Sequence, residues 1–444
     1  MSQLLTIIED CFNLFFKVVK YDFALIPSTL LCKYVDSMYN PEKPYNDLPL
    51  LPPKIELETK KVLKQAITAT RVLAELKGRA GEIPNQSMLV NAITLQEAKD
   101  SSEIENIVTT EDNLYQAFTA KTNTTDAQTK EVLRYRQALW EGYNNLHKRP
   151  LSANTFVSIV QTIKENNAGI RKTTRTKITS NNTTIYNPPE GEQIIRDLLK
   201  NLEDFIHAEK GIDDLIRLAV MHYQFEAIHP FADGNGRTGR VLNILHLLEK
   251  GLLDAPILYL SKYIIENKNN YYKKLRGVTE KQDWEAWILF MLKGVEETAA
   301  YTLQKINAIN SLMEGTMLLA KEKLPSRVYS KKLIELLFEQ PYCKVKFLVD
   351  KGIARRQIAA EHLQELEKIG VLISQKVGGG EPVFKCAVVS DFNQVYVIEL
   401  SKRVFSENTK FNTDFRKLIF IFITYPNLIA FNYSNSCLDT EFDN

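Results

Sequence analysis

What most restricts the fold of this chain is a charged, glycine-bearing stretch set between two apolar helical patterns. DLIRLAVMHYQFEAI (214–228) runs straight into HPFADGNGRTGR (229–240), and VLNILHLLEKG then continues as a very apolar helix with a stop at Gly251. Gly234-Asn235-Gly236-Arg237-Thr238-Gly239 satisfies G-x-G-x-x-G, but the dinucleotide fingerprint must follow a strand, and here a helical pattern, His229 and Pro230 precede it. Asp233, Asn235 and Arg237 echo a calcium loop, yet position 12 from Asp233 is Ile244, where a bidentate glutamate belongs.

An anion cradle fits the stretch better. Glycines free to take positive φ turn successive backbone N–H groups toward one point, and a helix N-terminus follows. Arg237 and Arg240, three apart in that first turn, oppose the macrodipole unless an anion neutralises them, which argues for a ligand with more than one phosphate. Asp233 is then the hard oxygen ligand for a Mg²⁺ bridging those phosphates. His229, with an ordinary pKa of about 6.5, can serve as a base near neutral pH. A plain glycine turn with solvated arginines and a packed His229 accounts for any one of these residues, but not for all together.

Composition narrows the setting. The chain has 444 residues, enough for roughly three domains of about 150. Its 56 basic and 54 acidic residues leave a net charge of +2, so nucleic acid or membrane would have to be met by a local patch. The odd, scattered cysteines (Cys11, Cys32, Cys343, Cys386, Cys437) lack the close pairing of a zinc site or disulfide framework and point to a reducing cytoplasm. MSQLLTIIEDCFNLFFKVV places Glu9 and Asp10 before its first lysine, the reverse of a secretion signal. LIFIFITYPNLIAF (418–431), broken by Pro426, is shorter than the roughly 20 residues that span a bilayer. No membrane partner is expected.

Along the chain, MYNPEKPYNDLPLLPPK (38–54) reads as a proline-rich linker able to lie extended over a domain surface. Helical patterns fill Glu56 to about Val108, with a stop at Gly78, then Asp126 to Tyr143 and Ser152 to Asn166. RKTTRTKITSNNTTIYNPPEG (171–191) is a hairpin turning at Ser180, Asn181 and Asn182, and helices resume from Gln193. Beyond Ala320 the order is helix, helix, longer helix and a glycine-tipped hairpin, which is that of a winged helix-turn-helix. In it Ala354–Ile369 is the expected recognition helix, with Arg355 and Arg356 at its start. Glu361, Glu365 and Glu367 weaken a DNA reading and favour protein docking or packing, though DNA stays open as a partner.

HPFADGNGRTGR is similar to the Fic signature H-P-F-x-D/E-G-N-G-R-x-x-R at every fixed position. The resemblance implies a mainly α Fic fold, a helical bundle with a β-hairpin flap, followed here by a C-terminal winged-helix-like domain. It implies a protein adenylyltransferase that moves AMP from ATP to a Ser, Thr or Tyr hydroxyl of a target or of itself, releasing pyrophosphate. By position, His229 deprotonates the hydroxyl, Asp233 holds Mg²⁺, and Asn235 with the Gly234 and Gly236 backbone grips the α and β phosphates. Arg237 meets the β phosphate and Arg240 the γ phosphate; Thr238 and Gly239 complete the nucleotide side.

Three further segments extend the resemblance. SSEIEN (101–106) is similar to the inhibitory motif S/T-x-x-x-E-G/N, as Ser101, Glu105 and Asn106, which implies a Glu105–Arg240 pair that blocks the γ phosphate. The hairpin sits where the family has a flap that pairs with target backbone, with Ile178, Thr179, Ile185 and Tyr186 as its expected edge. LSKYIIENKNNYYKKL (260–275) resembles the adenine-side helix; Tyr271 and Tyr272 cannot both face one pocket from adjacent positions, and Tyr272 is preferred.

The resemblance covers roughly residues 38–386 and gives an N-terminal region with an inhibitory helix (38–125), a Fic core (126–305) and a winged-helix-like domain (306–388). Residues 1–37 are expected to be an extension of doubtful start, since Met38 begins the familiar part, and 389–444 is an unassigned tail. A homodimer is left open. Reversal of the reaction, and a DNA-binding regulator whose Fic site senses nucleotide, are the rival readings.

Overall fold

The computed structural model describes residues 39–386 apart from 82–85, 112, 115–116, 118–125, 181–182, 209–210, 340–341 and 376–382. The extension 1–37, Asn181 and Asn182 of the turn, the glycine tip Gly378–Gly380, the apolar stretch 418–431 and the tail 389–444 lie outside the described residues. Two compact units are distinguished. One holds the described residues within Met1–Glu82, Val90–Leu114 and Asn123–Gln304, the other those within Ile83–Leu89, Tyr115–Thr122 and Lys305–Asn444.

The first unit is mainly helical. Helix α1 (Lys60–Gly81) buries Val62, Ala66, Ala69, Leu73 and Leu76, an alternation of fours and threes that keeps one stripe inward. It runs past Gly78, the expected stop, because a glycine ends a helix only where the chain turns left-handed there, and Gly78 does not. Helix α2 (Gln86–Glu103) ends in a Schellman turn in which Ile107 N–H reaches the Ser102 carbonyl and Asn106 N–H that of Glu103. Asn106 has φ 63°, the left-handed position of such a turn, which glycine or asparagine fills most readily.

Helix α3 (Ala127–Leu146) starts where the Asp126 side chain accepts from Thr129 N–H, and α4 (Ala153–Lys164) where Ser152 and Thr155 form a capping box. The expected hairpin is present as β1 (Ile178–Ser180) and β2 (Thr183–Tyr186), antiparallel, with an irregularity after Ile178. Helix α5 (Glu192–Ile206) precedes α6 (Asp214–Ile228), whose first turn is capped by Asp213. Helix α7 (Asn235–Glu249) packs on α6, α3 and α4. Val241, Leu242, Ile244, Leu245 and Leu247 are all buried, so the helix is enclosed on every side. The adenine-side segment, read as one helix, breaks at Asn267 into α8 (Leu260–Glu266) and α9 (Lys268–Lys281). Helix α10 (Trp284–Lys323) follows, its residues from Lys305 onward counted with the second unit.

In the second unit come α11 (Lys331–Glu339), β3 (Tyr342–Cys343), α12 (Val345–Asp350), α13 (Arg356–Lys368), β4 (Leu372–Gln375) and β5 (Val383–Cys386). The strands form one antiparallel sheet in the order β3-β5-β4. The short β3, which periodicity cannot reveal, inserts between the first two helices. Among the described residues no helix is long and apolar enough to cross a membrane.

Candidate active site

The loop between α6 and α7 is held by its own residues and by one distant arginine. His229 ends α6 in a left-handed conformation, with φ 49°. The Asn235 side chain accepts from Phe231 N–H and donates to the Phe231 carbonyl, both at 2.8 Å, so it braces the loop. The amide oxygen and one of its two N–H groups are thus committed to the loop, which leaves the other N–H and the backbone N–H groups for an anion. Arg171 donates to the carbonyls of His229 (2.8 Å) and Pro189, and its own N–H reaches the Pro230 carbonyl.

Glycine serves three positions for different reasons. Gly234 has φ 83° and begins α7, so it alone of the three uses conformational freedom. A Cβ on Gly236 would stand under 3 Å from Glu105 Oε1 and 3.0 Å from Arg240. One on Gly239 would meet Glu226 Oε1 at 2.5 Å and Phe225 at 3.1 Å. Gly239, expected on the nucleotide side, instead lets α6 and α7 cross closely. Thr238 is buried, its hydroxyl enclosed without a partner among the described residues.

The two arginines converge on one carboxylate. Glu105 Oε2 accepts from Arg237 Nε at 3.0 Å, and Oε1 from an Arg240 terminal nitrogen at 2.7 Å. Arg240 also donates to the Ser101 hydroxyl (2.7 Å) and carbonyl (2.8 Å). Burial disfavours its charge, but Glu105, followed by Tyr271, Glu226 and Tyr135, together more than compensate and hold its pKa above the ordinary value. Arg237 is additionally paired with Glu131 at 2.5 Å, and Lys164 bridges Glu131 (2.9 Å) to Asp233 (2.6 Å). Three cations thus meet three carboxylates. The arginines' charge is neutralised within the chain, so their burial alone does not require a phosphate. Glu131 and Lys164 were not foreseen, since nothing local marks a residue on α3 or α4 as facing this loop.

Titration within the site follows burial. Burial, then the Arg171 charge, pushes His229 down to about 4, and its Nδ1 is enclosed without a partner among the described residues. The imidazole is therefore neutral at pH 7, unlike the near-neutral titration expected. Burial pushes Glu226 up to about 7, its Oε1 also enclosed and unpartnered among the described residues. Partial burial would raise the Asp233 carboxyl, but Lys164 and Arg237 hold it below its usual range. Asp233 is 62% exposed and belongs to no cluster of three potential metal-binding side chains among the described residues. A single open carboxylate suits a Mg²⁺ that keeps its waters and arrives with phosphates, rather than a resident ion.

The inhibitory segment is fixed by acids. Glu97 accepts from Ser261 N–H (2.9 Å), the Ser261 hydroxyl (2.5 Å) and the Tyr135 hydroxyl (3.0 Å), and burial pushes its pKa up to about 7. Asp100 accepts from Tyr259. Asn106 touches neither arginine in any described bond; its part is the turn that presents Glu105.

On the other side, Tyr271 is buried and pairs with His222 Nε2 at 2.8 Å, so it is not the aromatic face expected as a candidate for a base. Tyr272 is 46% exposed and within electrostatic reach of Arg240, Glu226 and Glu105. In the flap, Thr179 is exposed, and Ile178, Ile185 and Tyr186 are half-buried. The Tyr186 hydroxyl donates to the Ala227 carbonyl (2.7 Å), which turns this side chain inward, away from an edge.

The fold and this geometry define a mainly helical domain organised around one arginine-bearing helix N-terminus. Comparison with known proteins supplies the family. Residues 150–247 match the Fic/DOC family, residues 63–144 the Fic/DOC family N-terminal region, and residues 312–385 the C-terminal domain of protein adenylyltransferase SoFic-like. By these domains the chain belongs to the Fic/DOC family. A probable protein adenylyltransferase of Aquifex aeolicus is 38% identical over 79 residues, covering 18% of this chain and 24% of that protein. The protein adenylyltransferase fic-1 of Caenorhabditis elegans is 29% identical over 139 residues, 30% of this chain and 26% of that one. The chain thus spans about a quarter of the length of these curated relatives. A crystal structure of a Fic family protein from Desulfovibrio desulfuricans G20 is similar with a TM-score of 0.42 at 15% identity, covering 72% of this chain and 95% of that one.

Proposed function

We propose that the protein is a self-inhibited adenylyltransferase that transfers AMP from ATP to a hydroxyl side chain of a target protein. The observation that carries this reading is the convergence of Arg237 and Arg240 on the single carboxylate of Glu105, at 3.0 and 2.7 Å. Two buried guanidinium groups reaching past a helix N-terminus toward one removable anion make a place for the β and γ phosphates. Once Glu105 withdraws, Arg237 meets the β phosphate and Arg240 the γ phosphate. The Gly234 and Gly236 amides hold the phosphates nearer the sugar, beside Tyr272 for the base. Asp233 would hold Mg²⁺, which supplies neutralising charge to the phosphates when bound.

His229 takes the proton of the acceptor hydroxyl as its oxygen attacks the α phosphorus. The bond from that phosphorus to the bridging oxygen breaks, and pyrophosphate leaves with the electron pair. The neutral imidazole is in the state this step needs, and the phosphates' negative charge raises its basicity on binding. Positioning and charge stabilisation supply the rest.

The flap places the target's backbone, and Glu105 with Ser101 is the brake. The second unit, with its three-helix order and small sheet, is read as a winged-helix-like module that docks protein; the setting is cytoplasmic. The test is transfer of label from α-labelled ATP with Mg²⁺. His229→Ala is expected to lose transfer and keep nucleotide binding, whereas unchanged behaviour would favour a nucleotide sensor.

A further inference from the structure

The proline-rich segment ahead of α1 lies before the matched family regions, and it holds the flap from behind. Tyr45 N–H donates to the Asn187 carbonyl (3.0 Å), Asn187 N–H to the Tyr39 hydroxyl (3.1 Å), and that hydroxyl to the Ile185 carbonyl (3.4 Å). The rings of Tyr39 and Tyr45 pack on each other and on Tyr186, with centroids 5.1 to 6.4 Å apart. Farther along, Asn46 accepts from Glu190 N–H, Gln224 donates to the Pro49 carbonyl, and Asn201 makes paired bonds with Leu51. Tyr186 in turn bonds Ala227, two residues before His229, while Arg171 ties the Pro189 and His229 carbonyls together. Strap, flap and the end of α6 are one hydrogen-bonded assembly.

The outer edge at the end of β2 is thereby taken, whereas β1 pairs with β2 alone among the described residues. Charge is also unequal. The approach to β1, RKTTRTK (171–177), has four basic residues and no acidic one. Arg171 is used internally; exposed Lys172 meets half-buried Glu192 at 3.3 Å and Lys177 meets exposed Glu42 at 3.1 Å, pairs too open to hold much of their charge.

We propose that the strap, residues 39–51, closes the β2 edge and leaves β1, Ile178–Ser180, as the docking edge. Its occupant is an extended target segment carrying carboxylates beside the acceptor hydroxyl, matched to Lys172, Arg175 and Lys177. The inference rests on the AMP-transfer reading and names its substrate class. Main-chain pairing supplies the grip and the basic approach the preference. Tyr39 is a positioning residue that stiffens the flap before the target arrives.

The experiment uses the full chain with Glu105→Gly, Mg²⁺ and α-labelled ATP. Two hydroxyl-bearing peptides of equal length are offered, one flanked by Asp and Glu, the other by Lys and Arg. The acidic peptide is expected to be labelled with a kcat/KM about 5- to 10-fold higher at low salt, the scale of two or three exposed ion pairs. Lys172→Glu with Arg175→Glu should abolish or invert that preference. Tyr39→Phe, which keeps the ring and loses the hydroxyl bonds, should raise the KM for the peptide while kcat and the KM for ATP hold. Equal labelling of both peptides, an unchanged preference in the charge-reversed variant, or an unmoved peptide KM in Tyr39→Phe would overturn the proposal. Lysate proteins labelled with neither peptide labelled would also overturn it, leaving AMP transfer standing. No transfer to any protein would overturn both.

Discussion

Replacing Glu105 by glycine takes one carboxylate away from two buried guanidinium groups. Each Glu105–arginine contact is a charge-assisted hydrogen bond, of the kind that contributes about 1.5 to 3 kcal/mol. The sum is discounted because the Glu105 side chain is 24% exposed, Arg240 keeps Ser101 and Arg237 keeps Glu131. A net of about 2 to 4 kcal/mol remains, or about 30- to 1,000-fold in access of a triphosphate to the arginines. Two observables should move in opposite directions. Without nucleotide, the variant's melting temperature falls, since two buried cations have lost a partner. With ATP and Mg²⁺ its thermal stabilisation and its transfer of label from α-labelled ATP both rise. Equal label transfer by variant and parent, at equal protein and ATP, would refute the idea that this carboxylate restrains the site.

Glu97 gives the inhibitory helix a pH dependence. Its folded pKa of about 7 stands above the ordinary 4.5, so its contribution is full below pH 4.5 and lost as pH rises through 7, at most about 3 kcal/mol. Hydrogen exchange in residues 90–106, corrected for intrinsic rates, should therefore quicken between about pH 5 and 7 and level off above, and Glu97→Gln should flatten that response. The two helical glycines of the loop should behave differently. Gly236→Ala pushes on Glu105 and Arg240, so its stability cost should shrink in a Glu105→Gly background, a coupling that a double-mutant cycle reads directly. Gly239→Ala presses on Glu226 and Phe225 and should cost about 1 to 3 kcal/mol in either background. In the second unit, α13 starts at Arg356 but carries Glu361, Glu365 and Glu367, so a gel shift at low salt is expected to show no general DNA retardation.

Much of this arrangement can be read before any coordinates. The flanking patterns place α6 and α7, and the motif places His229, Asp233, Arg237 and Arg240 at their junction. Even Glu105 is reachable, because Ser101, Glu105 and Asn106 keep a recognisable spacing. What cannot be read are contacts made across the fold. Glu131 on α3 and Lys164 on α4 look like ordinary charges on helical surfaces, and only the packing of those helices against α7 turns them inward. The same holds for Tyr271, whose hydroxyl pairs with His222, and for Asn235, whose amide braces the loop through Phe231. Glycine spacing is ambiguous for a related reason. A glycine can serve a left-handed turn, as Gly234 does, or a close helix crossing, as Gly239 does, and the letter alone does not distinguish them.

The central claim is tested most directly by mass spectrometry after incubation with α-labelled ATP and Mg²⁺ in cell lysate. The parent chain, Glu105→Gly and Glu105→Gly with His229→Ala are compared. The account predicts AMP on a Ser, Thr or Tyr hydroxyl that is strongest with Glu105→Gly, weak with the parent and absent when His229 is also replaced. Label that persists after His229→Ala, or no AMP on any protein with Glu105→Gly while ATP still binds, would contradict it.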